Sequence, residues 1–409
     1  VATTPLAEPG PPILGPLHRM WRLLPPRTRR EALFTLTEFA APRPARLPAQ
    51  PGLPVTVAGY FRAPSGLGEG ARRLATMLEA AGVAVHRADL TAALRQGPAG
   101  PGPEMPAGPG TLVLHVNGPM VPWALLALGR RRVADKRVLA FWNWELPTLP
   151  RDWTRGYRFV EGILAASGYA AAAMRRAEGP PISVVPYPVV APARSALSRE
   201  SFGLAPEAFV TLSVFDAASS VERKNPLAAI AAHRAAFGGR ADRVLVLKTY
   251  NTAMGGAAWR AVAAAAEGQA NIRIIDGHMT PAEVAGLIGL ADVMLSLHRA
   301  EGYGLALAEA MSLGRPVVAT GWSGNMEFMD HGSALLVGHR FVPAGDARGT
   351  YDVPGASWAE PDIAEASEAL RRLAADADLR ARIGEAGRQR VATLTPEACG
   401  ARARAAIGA

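Results

Sequence analysis

From residue 54 onward, apolar runs of strand length alternate with longer stretches in which apolar residues recur at helical spacing, the pattern of parallel sheets with helical crossovers. The runs predict a first set of strands over 54–60, 83–87, 111–116, 137–142, 162–166 and 182–186, with a helix over 68–81 and a proline- and glycine-rich loop over 97–110. A second set is predicted over 209–215, 243–249, 272–275, 293–297, 316–319 and 334–337. Its helices fall at 225–237, 257–267, 281–290, 305–313 and 362–374. Between the sets, Val189-Val190-Ala191-Pro192-Ala193-Arg194-Ser195 reads as a connection, so the boundary is expected after Pro188. The fold class is α/β, with two doubly wound parallel sheets facing across a cleft and ligands at the carboxyl ends of the strands. The expected division is an extension over 1–50, domains over 51–190 and 191–395, and a helix over 396–409 that crosses back to the first domain.

A chain of 409 residues exceeds what one core usually supports, in line with two domains. Hydrophobic residues are 49% and charged residues 19%, a folded composition, and no apolar run is long enough to span a bilayer. The proline-rich start lacks the layout of a secretory signal, and the single Cys399 excludes an internal disulfide framework and a cysteine metal cage. A cytoplasmic location is the default expectation, peripheral to the inner face of the membrane if the extension binds lipid.

The net charge of +9 suits phosphorylated ligands, an anionic membrane or nucleic acid. Part of it is local. Arg19, Arg22, Arg27, Arg29 and Arg30 interleave with Leu17, Met20, Trp21, Leu23 and Leu24, which reads either as a membrane-surface segment or as an extension packed along the first domain, broken at Pro25 and Pro26. Nucleic acid is not expected, because no recognition motif accompanies the charge.

The chemistry concentrates in Ser296-Leu297-His298-Arg299-Ala300-Glu301-Gly302-Tyr303-Gly304-Leu305, followed by Glu309. A buried strand, a glycine turn and a helix start there, so unpaired N–H groups suit a phosphate while Glu301 and Glu309 could accept hydrogen bonds from sugar hydroxyls. In Val221-Glu222-Arg223-Lys224-Asn225-Pro226, two cations at the head of a helix oppose its dipole, which either a diphosphate or a surface pair with Glu222 would explain. The turn Gly59-Tyr60-Phe61-Arg62-Ala63-Pro64-Ser65-Gly66-Leu67-Gly68-Glu69-Gly70 could cradle a diphosphate or leave room for an acceptor, but it lacks dinucleotide spacing. His115 ends an apolar run, where it is either a group that meets the reacting sugar or a satisfied strand-end histidine. No histidine pair has metal-ligand spacing, and Asp376-Ala377-Asp378 fits a helix cap better than an acidic metal motif.

Together, over roughly residues 55–391, these segments resemble the group 1 family of retaining GT-B glycosyltransferases. The stretch around Glu301 and Glu309 resembles the family's paired-glutamate motif, and Gly314-Arg315-Pro316-Val317-Val318-Ala319-Thr320-Gly321-Trp322-Ser323-Gly324-Asn325 its next strand and loop. Arg223-Lys224-Asn225-Pro226 is similar to its phosphate-binding lysine segment, and Trp142-Asn143-Trp144-Glu145-Leu146-Pro147 and Val185-Pro186-Tyr187-Pro188-Val189 also resemble members. The resemblance implies two Rossmann-like domains, the first for the acceptor and the second for the donor. It implies that Glu309 binds the nucleotide ribose, Glu301 the donor sugar and Lys224 the diphosphate. Gly302, Tyr303, Gly304 and Leu305 would line the donor, Gly66 and Gly68 would add to its binding, and His115 would lie near the transfer point, so His115, Glu301 and Lys224 are the expected catalytic set.

Many members carry an arginine where this chain has Val214-Phe215-Asp216, and Arg223 is the substitute candidate. The implied reaction moves a sugar from a nucleotide diphosphate donor, of the GDP-mannose or UDP-hexose type, to a glycan, lipid-linked or small-molecule acceptor hydroxyl with retention. No cofactor and no metal are expected. A sugar-nucleotide epimerase of GT-B fold and a non-catalytic GT-B binding module are the competing readings.

Overall fold

The first set of apolar runs pairs side by side as parallel strands β1 (Val55–Gly59), β2 (Val85–Asp89), β3 (Gly110–His115), β4 (Lys136–Trp142), β5 (Gly162–Ala165) and β6 (Ile182–Val184), in the order β2-β1-β3-β4-β5-β6. This computed structural model describes residues 23, 26–47, 54–98, 100–191, 193, 195 and 197–409. Strands β3 and β5 are buried along their whole length, as a sheet covered on both faces requires. The helices of this half are α1 (Pro26–Ala40), α2 (Gly66–Ala80), α3 (Val121–Leu128), α4 (Arg130–Val133) and α5 (Gly168–Met174). Strand β2 starts two residues later than its apolar run, because the Val83 N–H is taken by the Leu78 carbonyl at the end of α2, 3.0 Å away. That bond and Gly82, at φ +77°, make Val83 part of the helix end rather than of the strand.

The second sheet is built from β7 (Phe209–Val214), β8 (Arg243–Thr249), β9 (Ile272–Asp276), β10 (Val293–Ser296), β11 (Val317–Thr320) and β12 (Leu335–Val337), in the order β12-β11-β10-β7-β8-β9. The order reverses between β7 and β10, the place where open α/β sheets form a ligand crevice. Around it lie α6 (Val221–Lys224), α7 (Pro226–Phe237), α8 (Gly256–Ala266), α9 (Pro281–Leu290), α10 (Leu305–Ser312), α11 (Ile363–Ala375) and α12 (Ala377–Val391). Asp376 caps α12 by accepting from Leu379 N at 2.7 Å, which gives the acidic triplet its structural role. Two strands escaped the sequence pattern: β13 (His339–Pro343) and β14 (Ser357–Pro361) form an antiparallel hairpin whose long loop returns to the cleft.

The last helix, α13 (Pro396–Ile407), packs on α2 of the first domain. Gly400 makes that approach feasible, since a Cβ there would lie 1.9 Å from the Met77 carbonyl oxygen. Arg137 adds a bond of 2.6 Å to the Ile407 carbonyl, and Cys399, Ala403 and Ile407 are buried in a cluster that also holds Leu74 and Met77. At the other end of the chain, α1 lies on α3, with Phe34 inward and Glu38 paired to Arg158 at 2.7 Å. Arg19 and Arg22, with Leu17, Met20, Trp21 and Leu24, lie outside the described residues.

One buried group makes folding sensitive to pH. His233 on α7 is fully enclosed, lies edge-on to Phe237 with centroids 5.2 Å apart, and neither ring nitrogen has a hydrogen-bond partner. Burial lowers its pKa from 6.5 to about 4, so the unfolded chain takes up the proton first. Its contribution is complete above about pH 6.5 and is lost as pH falls toward 4. His233→Leu should therefore flatten the acid limb: between pH 7 and pH 5 the wild type should lose about 2 kcal/mol more than the variant. Denaturant unfolding at the two pH values measures the difference.

Candidate functional site

The loops after β7 and β10 meet at the crevice and bring Arg223, Lys224 and Glu301 together. Ser220, at φ +67°, caps α6 by accepting from Arg223 N at 3.3 Å, and Asn225, at φ +53°, ends that single turn. Lys224 Nζ donates to Glu301 Oε1, and Arg223 Nη1 lies 3.4 Å from the same oxygen. Burial pushes the Glu301 carboxyl up, but Lys224, Arg223 and His298 outweigh it and hold the group at about 2. Glu301 is thus a charged acceptor at neutral pH, not an acid.

Its backbone is fixed as firmly. Glu301 N donates to Ser323 Oγ at 2.8 Å, and Gly324 N donates to the Glu301 carbonyl at 2.8 Å. A Cβ on Gly324 would lie 2.1 Å from Gly302 O, so the two loops interlock through bare backbone. Beneath them, His298 Nδ1 bonds Ser296 Oγ at 2.9 Å and its Nε2 bonds Asn325 Oδ1 at 3.0 Å, while burial lowers its pKa. Gly304, at φ +98°, is the N-cap of α10, and that left-handed turn sends the helix away from the strand.

The first domain closes over this turn. Ser167 Oγ donates to Gly302 O at 2.7 Å, Gly168 N to Glu327 Oε2 at 2.7 Å, and Tyr303 Oη to Tyr187 O at 2.9 Å. Leu305 sits half-buried at the start of α10, and Glu309 lies further along the same helix, where its Oε1 accepts from Arg73 of α2.

Two of the expected site residues are enclosed. Arg223 is only 2% exposed, its Nη1 and Nη2 donate to Ala300 O at 2.7 Å and Ser219 Oγ at 2.8 Å while its buried Nε has no partner among the described residues, so the guanidinium is turned inward against Glu301 rather than toward a diphosphate. Nor is it a surface partner of Glu222, which bonds Ser220 and Ala347 N. His115 is 0% exposed, its ring lies 5.0 Å from that of Phe141, and its Nε2 bonds Tyr187 Oη at 2.8 Å. Burial lowers its pKa to about 4, so it is an enclosed neutral ring at the end of β3. Gly68 also has a packing reason, since a Cβ would lie 2.2 Å from Ala63 O, whereas one on Gly66 would meet open space.

Several residues carried no usable signal in the sequence. Tyr351, from the hairpin loop, donates to Glu145 Oε2 at 3.0 Å, stacks on Trp144 with centroids 5.5 Å apart and lies under the Arg223 guanidinium at 5.5 Å. The loop is tied down by Ala347 N to Glu222 Oε1 at 3.1 Å and by Arg348 to the Ala218 carbonyl. Glu145 lies in a segment already singled out, but its partner is 206 residues away and no spacing shows it. Among the described residues, no group of three or more His, Cys, Asp or Glu is placed to hold a metal ion, and no helix is long and apolar enough to cross a membrane.

Two doubly wound domains closed on each other, with the charged cluster at the switch point of the second, define the GT-B fold of glycosyltransferases. Residues 258–390, within the second domain, match the family model described as glycosyl transferases group 1. Among solved structures, sucrose-phosphate synthase from Thermosynechococcus elongatus superposes with a TM-score of 0.62 at 17% identity, over 85% of this chain and 96% of that one. Anabaena HepE in complex with UDP-glucose gives 0.61 at 15% identity, over 87% and 99%. The pneumococcal O-GlcNAc transferase GtfA in complex with UDP and GlcNAc gives 0.50 at 12% identity over 73% of this chain, which spans 56% of that enzyme's chain. No curated protein matches the sequence.

The hairpin contact can be tested directly. Tyr351→Phe keeps the stacking and loses the bond to Glu145, and should cost about 1 to 2 kcal/mol. Tyr351→Ala also loses the packed ring and should cost about 3 to 5 kcal/mol. The order of the two in thermal unfolding checks the assignment; equal losses would remove the packing part.

Proposed function

We propose that the protein is a retaining glycosyltransferase that moves a hexose from a nucleoside diphosphate to an acceptor hydroxyl. The observation that carries this reading is the Lys224–Glu301 pair at the switch point, beside the start of α10 and under the closing first domain. The UDP-glucose bound by HepE and the UDP and GlcNAc bound by GtfA support a nucleotide-sugar donor of the UDP-hexose type, with GDP-mannose as the other candidate.

Lys224 has three ammonium donors, and Glu301 uses one; the others would face the diphosphate. Glu301 would accept from the donor-sugar hydroxyls, Glu309 from the ribose, and the glycine turn would lie along the sugar and phosphates. With Glu301 neutralised by two cations, we assign no carboxylate as covalent nucleophile. The bond from the anomeric carbon to the diphosphate breaks, the acceptor oxygen adds on the same face, and the leaving diphosphate takes the acceptor proton. Positive charge from Lys224 and the N–H groups of α10 stabilises the leaving group without a metal. The closed domains exclude water, which limits hydrolysis of the donor. The acceptor is a glycan, lipid-linked or small-molecule hydroxyl entering from the first domain.

We place the enzyme in the cytoplasm, peripheral to an anionic membrane through the N-terminal arginines. Leu36 and Phe39, at 63% and 92% exposure on α1, support an apolar contribution from the same end of the chain.

Incubation with a panel of UDP-, GDP- and ADP-sugars should give acceptor-dependent nucleotide release that persists in EDTA, and Lys224→Ala and Glu309→Ala should each lower turnover at least about tenfold with the fold intact. Isomerised donor without release would favour an epimerase, and absence of any binding would leave only a non-catalytic module. Deleting residues 1–48 should reduce co-sedimentation with phosphatidylserine vesicles; unchanged partitioning would withdraw the membrane part.

A further inference from the structure

Arg73 carries a role that none of the motifs announces. It lies on α2 of the first domain, and its guanidinium joins three parts of the chain. Nε donates to Glu69 Oε1 on the same helix at 2.7 Å, and Nη1 donates to the Pro188 carbonyl, at the start of the interdomain connection, at 2.9 Å. Nη2 donates to Glu309 Oε1 on α10 of the second domain. The two side chains are 14% and 19% exposed, so the pair is screened from water far more than an ordinary surface ion pair.

The guanidinium is a rigid planar fork. It can make these three bonds together only while α2, the connection and α10 keep one relative position, which is the closed position of the domains. Glu309 is driven upward in pKa by burial, and Arg73 is the cation that opposes this. A carboxylate offers about four lone-pair sites over its two oxygens, so an arginine on Oε1 leaves Oε2 to accept from hydroxyl donors.

We propose that Arg73 is a positioning residue that couples recognition of the donor ribose to domain closure, by holding Glu309 aimed only when the two domains meet. The inference rests on Glu309 as the ribose acceptor. By linkage, whatever the closed arrangement adds to ribose binding, ribose binding adds to closure. Opening would part Glu309 from Arg73, leave the carboxylate without the partner that aims it and weaken its hold on the nucleotide, so product release and opening are linked through one side chain.

The test uses the full chain and calorimetric titration. UDP, GDP and ADP are titrated first, and the tightest binder is then compared with its 2′,3′-dideoxy analogue. The wild type should prefer the natural nucleotide about tenfold or more, as loss of a charge-assisted bond implies. In Arg73→Gln that preference should fall to about twofold while the dideoxy analogue binds almost as in the wild type. Arg73→Lys, with a cation but no fork, should lie between. Small-angle scattering with the nucleotide bound should give a larger radius of gyration for Arg73→Gln than for the wild type.

A purely structural ion pair would weaken both nucleotides equally, and an undiminished preference in either folded variant overturns the proposal. If Arg73→Gln does not fold, the preference of Arg73→Lys decides alone. A wild type that binds none of the three nucleotides overturns the donor reading and this inference together, whereas tight binding with an unchanged preference overturns this inference only.

Discussion

A guanidinium withdrawn from water needs oxygen partners, and the contacts that Nη1 and Nη2 of Arg223 make, with Nε left unpaired, organise the centre of this molecule. Its partners come from separate pieces of chain: Ser219 from the loop after β7, and Ala300 and Glu301 from the loop after β10. The Tyr351 ring beneath it comes from the hairpin loop. An unpaired charge at this depth costs several kcal/mol, so the loops gain from adopting the one arrangement that encloses it. Glu301 is thereby fixed on its inner side, which leaves Lys224 as the cation of the pair nearer to solvent. Site geometry and core stability are in this way the same problem, solved by the same contacts.

Closure of the first domain depends on a complementary economy of bulk. Gly302 lies so close to Trp144 that a Cβ would be 3.2 Å from its carbonyl oxygen, and Gly324 is pressed against Gly302 from the other side. Gly70 leaves the space that His115 and Tyr187 fill, and Tyr187 in turn receives Tyr303 from the second domain. The histidine at the end of β3 is thus one ring of a stack that reaches the domain interface.

Most strands and helices were legible because burial on both faces forces continuous apolar runs, and amphipathic helices keep their spacing whatever they pack against. The glycine turn with Glu301 and the lysine segment were legible because several unusual residues stand close together in sequence. The hairpin was not: β13 holds His339, Arg340 and Phe341 in mixed polarity, and its loop is rich in glycine, which reads as ordinary turn. Arg73 could not be recognised, since an arginine on an amphipathic helix looks solvated and its partner Glu309 is 236 residues away. Arg223 was found but misplaced, because its position in the sequence does not reveal that Tyr351 covers it. The recurring reason is distance along the chain: what is fixed by neighbours in sequence can be read, and what is fixed by partners across the cleft cannot.

The seat of α13 on α2 bears on how the molecule is made. The first domain leaves the ribosome early, yet Met77 and Arg137 await a helix translated after the entire second domain. Until α13 arrives, the face of α2 around Leu74 and Met77 lacks part of its cover, while the six-stranded sheet of the second domain is already complete. Completion of the amino-terminal half therefore waits for a segment made after the second domain, and a chain stalled before residue 396 would present one finished domain and one with an open apolar seam.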